Sequence, residues 1–185
     1  MNLQKHIVLI GFMGTGKSTV GTELAKQLAV SFFDTDIEIE RKEGTGISGI
    51  FAAKGEKYFR QVETDVLTLS INNIMPSVIA TGGGIVLSAK NRSLMEDHCL
   101  ILLDADVEDI FERVKENKDR PLLNSEENLK QTIKKMYDAR QEIYNYVAKF
   151  RVNTSNKSIT QIVAEITAYI SGNCIKNGAV VDNKS

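Results

Sequence analysis

The sequence predicts a three-layer α/β/α protein with a five-stranded parallel sheet. Short, continuous apolar runs, typical of strands buried on both faces, alternate with stretches whose apolar residues recur at helical spacing. This alternation favours a parallel sheet covered by helices on both sides. A glycine-rich segment joins the first apolar run to the first helical stretch. The 185 residues fit one domain.

The predicted elements follow one another without an interdomain linker. The predicted strands are 6–10, 31–34, 77–81, 99–104 and 149–154. The predicted helices are 17–29, 36–43, 56–71, 107–115, 125–148 and 159–170. The helix predictions depend on one apolar face, such as Val20, Leu24 and Leu28 in the first helix. Residues 172–185 are polar and unpatterned, so we expect a flexible tail.

Composition excludes several classes of partner. The net charge of −1 offers no bulk attraction to nucleic acid or to a membrane surface. No apolar run approaches the roughly 18 residues that cross a bilayer. We therefore expect a cytoplasmic protein without either partner. Cys99 and Cys174 form no metal-like cluster, and we expect free thiols in a reducing cytosol.

The glycine-rich segment "GFMGTGKST" predicts a phosphate-binding loop. It matches G-x-x-x-x-G-K-[ST] and lies between a predicted strand and a predicted helix. The glycines allow backbone N–H groups to converge on one anion, and the helix N-terminus adds partial positive charge. Lys17 can reach the outer phosphates, and the Ser18 hydroxyl can bind Mg²⁺. The predicted contacts to a nucleoside triphosphate are Gly14, Thr15, Gly16, Lys17, Ser18 and Thr19.

A GTPase is not indicated. The chain has no D-x-x-G after its third strand, and the "NKD" at 117–119 lacks the spacer of a guanine-binding motif. A phosphate-binding loop alone leaves the reaction open, because motors, switches and small-molecule kinases share it.

Two pairs of aspartates are candidates for binding Mg²⁺ and for accepting a proton from a substrate. Asp104 ends a strand, but with Asp106 it is better placed to cap the following helix. Asp34 and Asp36 are two apart at the end of the second strand, so both can face the crevice at the carboxyl edge of the sheet. One of them could hold Mg²⁺ through water, and the other could accept a proton from a substrate hydroxyl. If Asp36 is the base, the expected metal ligands are Ser18 and Asp34. The alternative for Asp36 is a helix cap.

A longer compound pattern narrows the reaction. Arg60, Glu63 and Leu67 precede "VIATGGGIV" at fixed spacing, and the chain also carries "DTD", "GEKYFRQVE" and "RPLL". Over about residues 5–165 this resembles the shikimate kinases. The resemblance implies a P-loop fold similar to the nucleoside monophosphate kinases, in one domain of residues 1–171. It implies a substrate-binding helical region at about 35–62 and a lid at about 114–125.

The resemblance also implies an activity and residue roles. The family transfers the γ-phosphate of ATP, with Mg²⁺, to the 3-hydroxyl of shikimate, a step towards chorismate and the aromatic amino acids. We expect a monomer with shikimate as its partner. Catalytic roles are implied for Lys17, Asp36 and Arg120, the last as the lid arginine that reaches the phosphates. Substrate contacts are implied for Asp36, Arg60, Gly82, Gly83, Gly84 and Arg140.

On the nucleotide side, the resemblance places Arg113 and Lys157 near the adenine. This sequence departs from the family pattern there, because it has Asn153 and no following proline. Two alternatives stay open. One is a gluconate or other small-polyol kinase of the same fold, against which the Arg60 and triple-glycine pattern argues. The other is a catalytically silent nucleotide-binding module, which would be favoured by loss of Lys17, Asp36 or Arg120.

Overall fold

Parallel strands form the centre of the molecule. The computed structural model describes residues 3–115 and 126–174. Within them the sheet has five strands: β1 (Ile7–Ile10), β2 (Ser31–Asp34), β3 (Ser77–Ala80), β4 (Cys99–Asp104) and β5 (Phe150–Asn153). Their spatial order is β2-β3-β1-β4-β5, and all pairings are parallel. The predicted α/β class and parallel sheet are confirmed.

Helices cover both faces of the sheet. They are α1 (Lys17–Leu28), α2 (Thr35–Glu43), α3 (Ile47–Ile71), α4 (Ala89–Met95), α5 (Val107–Lys115), α6 (Glu126–Val147) and α7 (Ile159–Asn173). One apolar cluster packs α1 and α7 on one face, with Leu9, Leu24 and Ile166 fully buried. The other packs α5 and α6 on the opposite face, around Leu100 and Tyr137. Burial on both sides explains why the strands are continuous apolar runs.

A third apolar cluster joins α2 to α3. It contains Ile39, Ile50, Phe59, Val62 and Val66. The sequence predicted α3 only from Glu56, but the helix begins at Ile47 and is interrupted at Gly55, where φ is 77° and ψ is 171°. This non-helical glycine changes the direction of the chain, so the apolar pattern is not continuous across it.

Two further elements differ from prediction. The segment after β3 forms a short 3-10 turn (Ile85–Leu87) and then α4, neither of which was predicted. Ser88 starts α4, because its hydroxyl accepts from the Asn91 N–H at 3.3 Å. The last helix, α7, continues to Asn173, so the start of the predicted tail is helical. Residues 175–185 of that tail lie outside the described residues.

The expectation of two free thiols is wrong. Cys99, the first residue of β4, is joined by a disulfide to Cys174, with the Cα atoms 6.3 Å apart. The continuation of α7 past Ile170 carries Cys174 to the amino end of the sheet. A separation of 75 residues gives no local pattern from which the pairing could be predicted. Among residues 3–115 and 126–174, no helix is long and apolar enough to cross a membrane.

Candidate active site

Three loops meet at the carboxyl edge of the sheet. The loop after β1 leads into α1, the loop after β2 leads into α2, and the loop after β3 contains Gly82, Gly83 and Gly84. Because β3 lies between β2 and β1, the triple-glycine turn sits between the other two loops. This is the edge at which parallel α/β proteins bind ligands.

The loop after β1 is built to bind an anion. Gly14 and Gly16 have φ of 77° and 88°, values that favour glycine, and Gly16 directly precedes α1. The Thr15 hydroxyl donates to the Phe12 carbonyl at 2.8 Å, and Lys17 Nζ donates to the same carbonyl at 2.7 Å. The predicted phosphate residues therefore lie together at a helix N-terminus, where partial positive charge favours phosphate. Thr19 is exposed in the first turn of α1.

Asp34 and Asp36 have different environments. The Asp34 carboxylate accepts from the N–H groups of Asp36 at 3.0 Å and Ile37 at 3.4 Å, so Asp34 caps α2. It also accepts from the Ser18 hydroxyl at 2.5 Å, which brings two side-chain oxygen atoms together beside the phosphate loop. The alternative that Asp36 is the cap is thus wrong. Asp36 is half-buried and faces the triple-glycine turn.

Asp104, the other acid considered, has a structural role. Its carboxylate accepts from the Tyr137 hydroxyl at 2.8 Å, from the Ala105 N–H at 3.0 Å and from Arg151. Burial is the largest cause that raises the pKa of Tyr137 to about 12, followed by its hydrogen bond to Asp104. Asp104 therefore joins α6 to β5.

Arg60 is held by two glutamates on α3. Arg60 Nη1 donates to both oxygens of Glu63, at 2.9 and 3.1 Å, while Nε and Nη2 donate to Glu56 Oε1 at 3.3 and 3.2 Å. Glu63 is 1% exposed and Glu56 is 66% exposed. Burial raises the pKa of the Glu63 carboxyl, and the Arg60 charge opposes that rise. The spacing of Glu63 from Arg60 was part of the compound pattern, but Glu63 was not predicted as a site residue.

Each glycine of the turn makes room for a different part of the site. A Cβ on Gly82 would lie 2.6 Å from Asp36 Oδ1 and 3.2 Å from Glu63 Oε1. A Cβ on Gly84 would lie 2.6 Å from Arg60 Nη2. At 2.6 Å a Cβ would force the Asp36 carboxylate or the Arg60 guanidinium to move, so glycine lets the predicted base and the predicted carboxylate-binding arginine both lie against the turn.

The turn is fixed from both sides. The Gly82 N–H donates to the Thr35 hydroxyl at 3.1 Å, and the Thr81 hydroxyl donates to the Leu9 carbonyl at 3.0 Å. At the middle position, a Cβ on Gly83 would lie 3.2 Å from the Met13 nitrogen. The turn therefore packs directly against the phosphate loop.

Arg140 reaches the same turn from α6. Its Nη1 donates to the Gly83 carbonyl at 3.3 Å, and its guanidinium lies 5.6 Å from the centre of the Phe12 ring. Arg60 and Arg140 therefore contact neighbouring glycines, Gly84 and Gly83. Two guanidinium groups at one turn form a site suited to a carboxylate.

The residues predicted on the adenine side are less closely grouped. Arg113 donates to the Gly14 carbonyl at 3.1 Å and to the Thr154 hydroxyl at 3.2 Å, which ties the phosphate loop to the segment after β5. Lys157 is instead paired with Glu165 on α7, at 2.7 Å. Asn153 accepts from the Ser155 N–H at 2.7 Å and shapes the turn in which the family pattern differs. Arg120 and residues 116–125 of the predicted lid lie outside the described residues.

Comparisons with known proteins agree with this geometry. The family model "Shikimate kinase" matches residues 13–171. A shikimate kinase of Persephonella marina is 43% identical over 169 residues, which cover 90% of this chain and 99% of that protein. A shikimate kinase of Pelotomaculum thermopropionicum is 44% identical over 167 residues, with 90% and 95% covered. The structure of the shikimate kinase from Acinetobacter baumannii in complex with shikimate superposes with a TM-score of 0.86 at 36% identity, with 93% and 96% covered.

Proposed function

The chain belongs to the shikimate kinase family, and from this premise we propose that it transfers the γ-phosphate of ATP to the 3-hydroxyl of shikimate. Family membership makes it a phosphotransferase with an alcohol acceptor. The observation that supports this acceptor is the triple-glycine turn. Within that turn, Gly82 faces Asp36, Gly83 faces the phosphate loop and Gly84 faces Arg60.

Arg60 and Arg140 bind the carboxylate of the acceptor. A guanidinium matches a carboxylate with two parallel N–H donors, which gives orientation as well as affinity. Glu63 is buried and fixes Nη1 of Arg60, whereas the contact with Glu56 is largely exposed and therefore weak. The substrate carboxylate replaces Glu56 at the outer edge of Arg60 while Glu63 keeps the side chain oriented.

Asp36 acts on the acceptor hydroxyl. Its carboxylate accepts the hydroxyl proton as the oxygen bonds to the γ-phosphorus of ATP. The bond from that phosphorus to the β,γ-bridging oxygen breaks, and ADP leaves with both electrons of the bond. Lys17 and the N-terminus of α1 stabilise the charge on the phosphates, with Arg120 of the lid as an additional cation.

Ser18 and Asp34 are suited to hold Mg²⁺. Their oxygens lie 2.5 Å apart beside the phosphate loop. Mg²⁺ usually takes one or two protein oxygens and completes its shell with water and substrate phosphates, so a site of two residues is sufficient. Among residues 3–115 and 126–174, no group of three His, Cys, Asp or Glu side chains forms a metal cluster. When bound, the ion neutralises negative charge on the β- and γ-phosphates.

Residues 14–19 and Arg113 form the nucleotide side of the site. Arg113 joins Gly14 to Thr154 and so sets the distance between the phosphate loop and the segment after β5. Lys157 lies near the end of that segment and is paired with Glu165 on α7. In this proposal the ion pair anchors the loop that forms the adenine side of the site.

The enzyme works as a monomer in the cytoplasm, with residues 1–171 as a single kinase domain. The support for the monomer is that helices and loops of one chain supply the phosphate, metal and acceptor residues. Light scattering should give the mass of one chain of 185 residues. A dimer at assay concentration would contradict the monomer.

The test of function is ADP release with ATP, Mg²⁺ and either shikimate or gluconate. We expect turnover that depends on shikimate and is absent with gluconate. Equal or greater turnover with gluconate would favour a small-polyol kinase. ATP binding without turnover on either compound would favour the silent nucleotide-binding module.

A further inference from the structure

Tyr144 is a buried tyrosine on α6 that contacts the triple-glycine turn. It lies on α6, one helical turn after Arg140, and is 2% exposed. Its hydroxyl donates to the Gly83 carbonyl, the same oxygen that accepts from Arg140 Nη1. One carbonyl of the turn is therefore bonded by two side chains of one helix.

The Tyr144 hydroxyl and the Arg140 guanidinium meet at the Gly83 carbonyl oxygen. Burial is the main cause that raises the pKa of Tyr144, while the charge of Arg140 acts in the opposite direction. Tyr144 and Arg140 are thus linked through one backbone carbonyl of the triple-glycine turn. An arginine side chain has many rotamers, and a single bond at 3.3 Å restricts it weakly.

A second tyrosine on the same face of α6 packs against the Phe12 ring over which Arg140 lies. Tyr137 donates to Asp104 at 2.8 Å and packs edge-on against the Phe12 ring, with the ring centres 5.8 Å apart. The Arg140 guanidinium lies over that same Phe12 ring. Residues 137, 140 and 144 share one helical face, so the arginine projects from between two anchored tyrosines.

We propose that Tyr144 is a positioning residue that orients Arg140 towards the carboxylate of the acceptor. It does not contact the substrate; it acts by fixing the Gly83 carbonyl, the oxygen to which Arg140 Nη1 donates. This inference rests on the proposed role of Arg140 in binding that carboxylate. Without the hydroxyl, Arg140 samples more rotamers, and the acceptor must restrict them when it binds.

The test is Tyr144→Phe, which keeps the buried ring and removes only the hydroxyl. The matched control is Tyr146→Phe on the same helix, because Tyr146 is 86% exposed. We expect KM for shikimate to rise about tenfold in Tyr144→Phe, a change of about 1.4 kcal/mol, with KM for ATP and kcat within twofold of wild type. The control should change none of the three values. An unchanged KM for shikimate, or an equal rise for ATP, would overturn the proposal.

A double-mutant cycle separates positioning from general loss of stability. In an Arg140→Ala background, Tyr144→Phe should cause no further rise in KM for shikimate, because the residue through which it acts is gone. A further tenfold rise in that background would overturn the proposal. The melting temperature of each variant shows whether reduced stability alone explains the change.

A crystal structure of Tyr144→Phe tests the positioning independently of turnover. Loss of the Arg140 contact with the Gly83 carbonyl, or several rotamers for Arg140, is the expected result. Arg140 in an unchanged single position would overturn the proposal. If wild-type protein does not turn over shikimate, the proposed function fails, while this structural comparison still decides whether Tyr144 orients Arg140.

Discussion

Arg60 Nη1 lies 2.9 and 3.1 Å from the two carboxylate oxygens of Glu63, a side chain that is 1% exposed. A buried carboxylate on the inner edge fixes the direction of the guanidinium, and the outer edge carries only the exposed Glu56. The sequence alone allowed an ordinary surface pair three residues apart. The burial of Glu63 argues against that interpretation, because both members of an ordinary surface ion pair are exposed to solvent.

Replacement of Arg60 should weaken acceptor binding selectively. We expect Arg60→Ala to raise KM for shikimate roughly 100-fold, since truncation of one partner of a hydrogen-bonded charge pair costs about 2–5 kcal/mol. KM for ATP should change little. Arg60→Lys keeps the charge but loses the planar fork, so its KM should also rise. Steady-state kinetics with each substrate varied in turn measures both values.

The control for Arg60 is Lys26→Ala on α1, outside the expected substrate-binding region. Lys26 pairs with Glu23, and its side chain is 78% exposed. This variant should bind both substrates as wild type does. Equal losses of shikimate and ATP affinity in Arg60→Ala would contradict a role at the acceptor carboxylate.

Replacement of Asp36 should affect the chemical step. Asp36→Asn keeps the size of the side chain but cannot accept the hydroxyl proton, and we expect kcat to fall roughly 10²–10⁴-fold. Single-turnover kinetics would measure the step directly. Asp97→Asn is the control, because Asp97 is exposed at the amino end of β4. A near-normal kcat in Asp36→Asn would leave Asp36 with a binding role only.

A methyl group added to the triple-glycine turn should displace Arg60. In Gly84→Ala the new Cβ would lie 2.6 Å from Arg60 Nη2, so the guanidinium must move and KM for shikimate should rise at least tenfold. Gly172→Ala on α7 is the control, because an added Cβ there would meet no other part of the structure within 4 Å. That control should keep full activity and equal or greater stability, since alanine favours a helix interior. Wild-type affinity for shikimate in Gly84→Ala would mean that the turn does not limit Arg60.

Reduction of the disulfide should lower stability without affecting catalysis. The bond between Cys99 and Cys174 spans 75 residues, which corresponds to about 4 kcal/mol in the chain-entropy model and roughly 10 °C in melting temperature. It lies at the amino end of β4, whereas the active site is at the carboxyl edge. Reductant and Cys174→Ser should therefore cause the same fall in melting temperature with kcat unchanged. A melting temperature that does not respond to either would contradict the bond.

Local patterns explain what the sequence predicted well. The phosphate loop depends on spacing within 11–19, and β4 on an unbroken apolar run, so neither prediction needs distant contacts. Residues 47–55 of α3 were missed because Gly55 interrupts the helix. The roles of Asp34 and Asp36 could not be separated from spacing alone, since either residue can cap a helix. Only the packing of β2 beside β3 shows which carboxylate faces the triple-glycine turn.

Long-range contacts account for the rest. The Cys99–Cys174 bond joins residues that no local pattern relates. Tyr144 resembles any apolar-face residue of a helix, and its contact with Gly83 spans 61 residues. Such contacts depend on how α6 packs across the sheet, which propensity and periodicity do not determine.

In the proposed site one turn, Gly82 to Gly84, brings the acceptor's carboxylate site, its hydroxyl base and the phosphate loop together. The most direct measurement is a crystal structure with shikimate and a non-hydrolysable ATP analogue. We predict the shikimate carboxylate against Arg60 and Arg140, with its 3-hydroxyl within hydrogen-bonding distance of Asp36. A shikimate carboxylate bound away from both arginines, or a 3-hydroxyl out of reach of Asp36, would contradict the account.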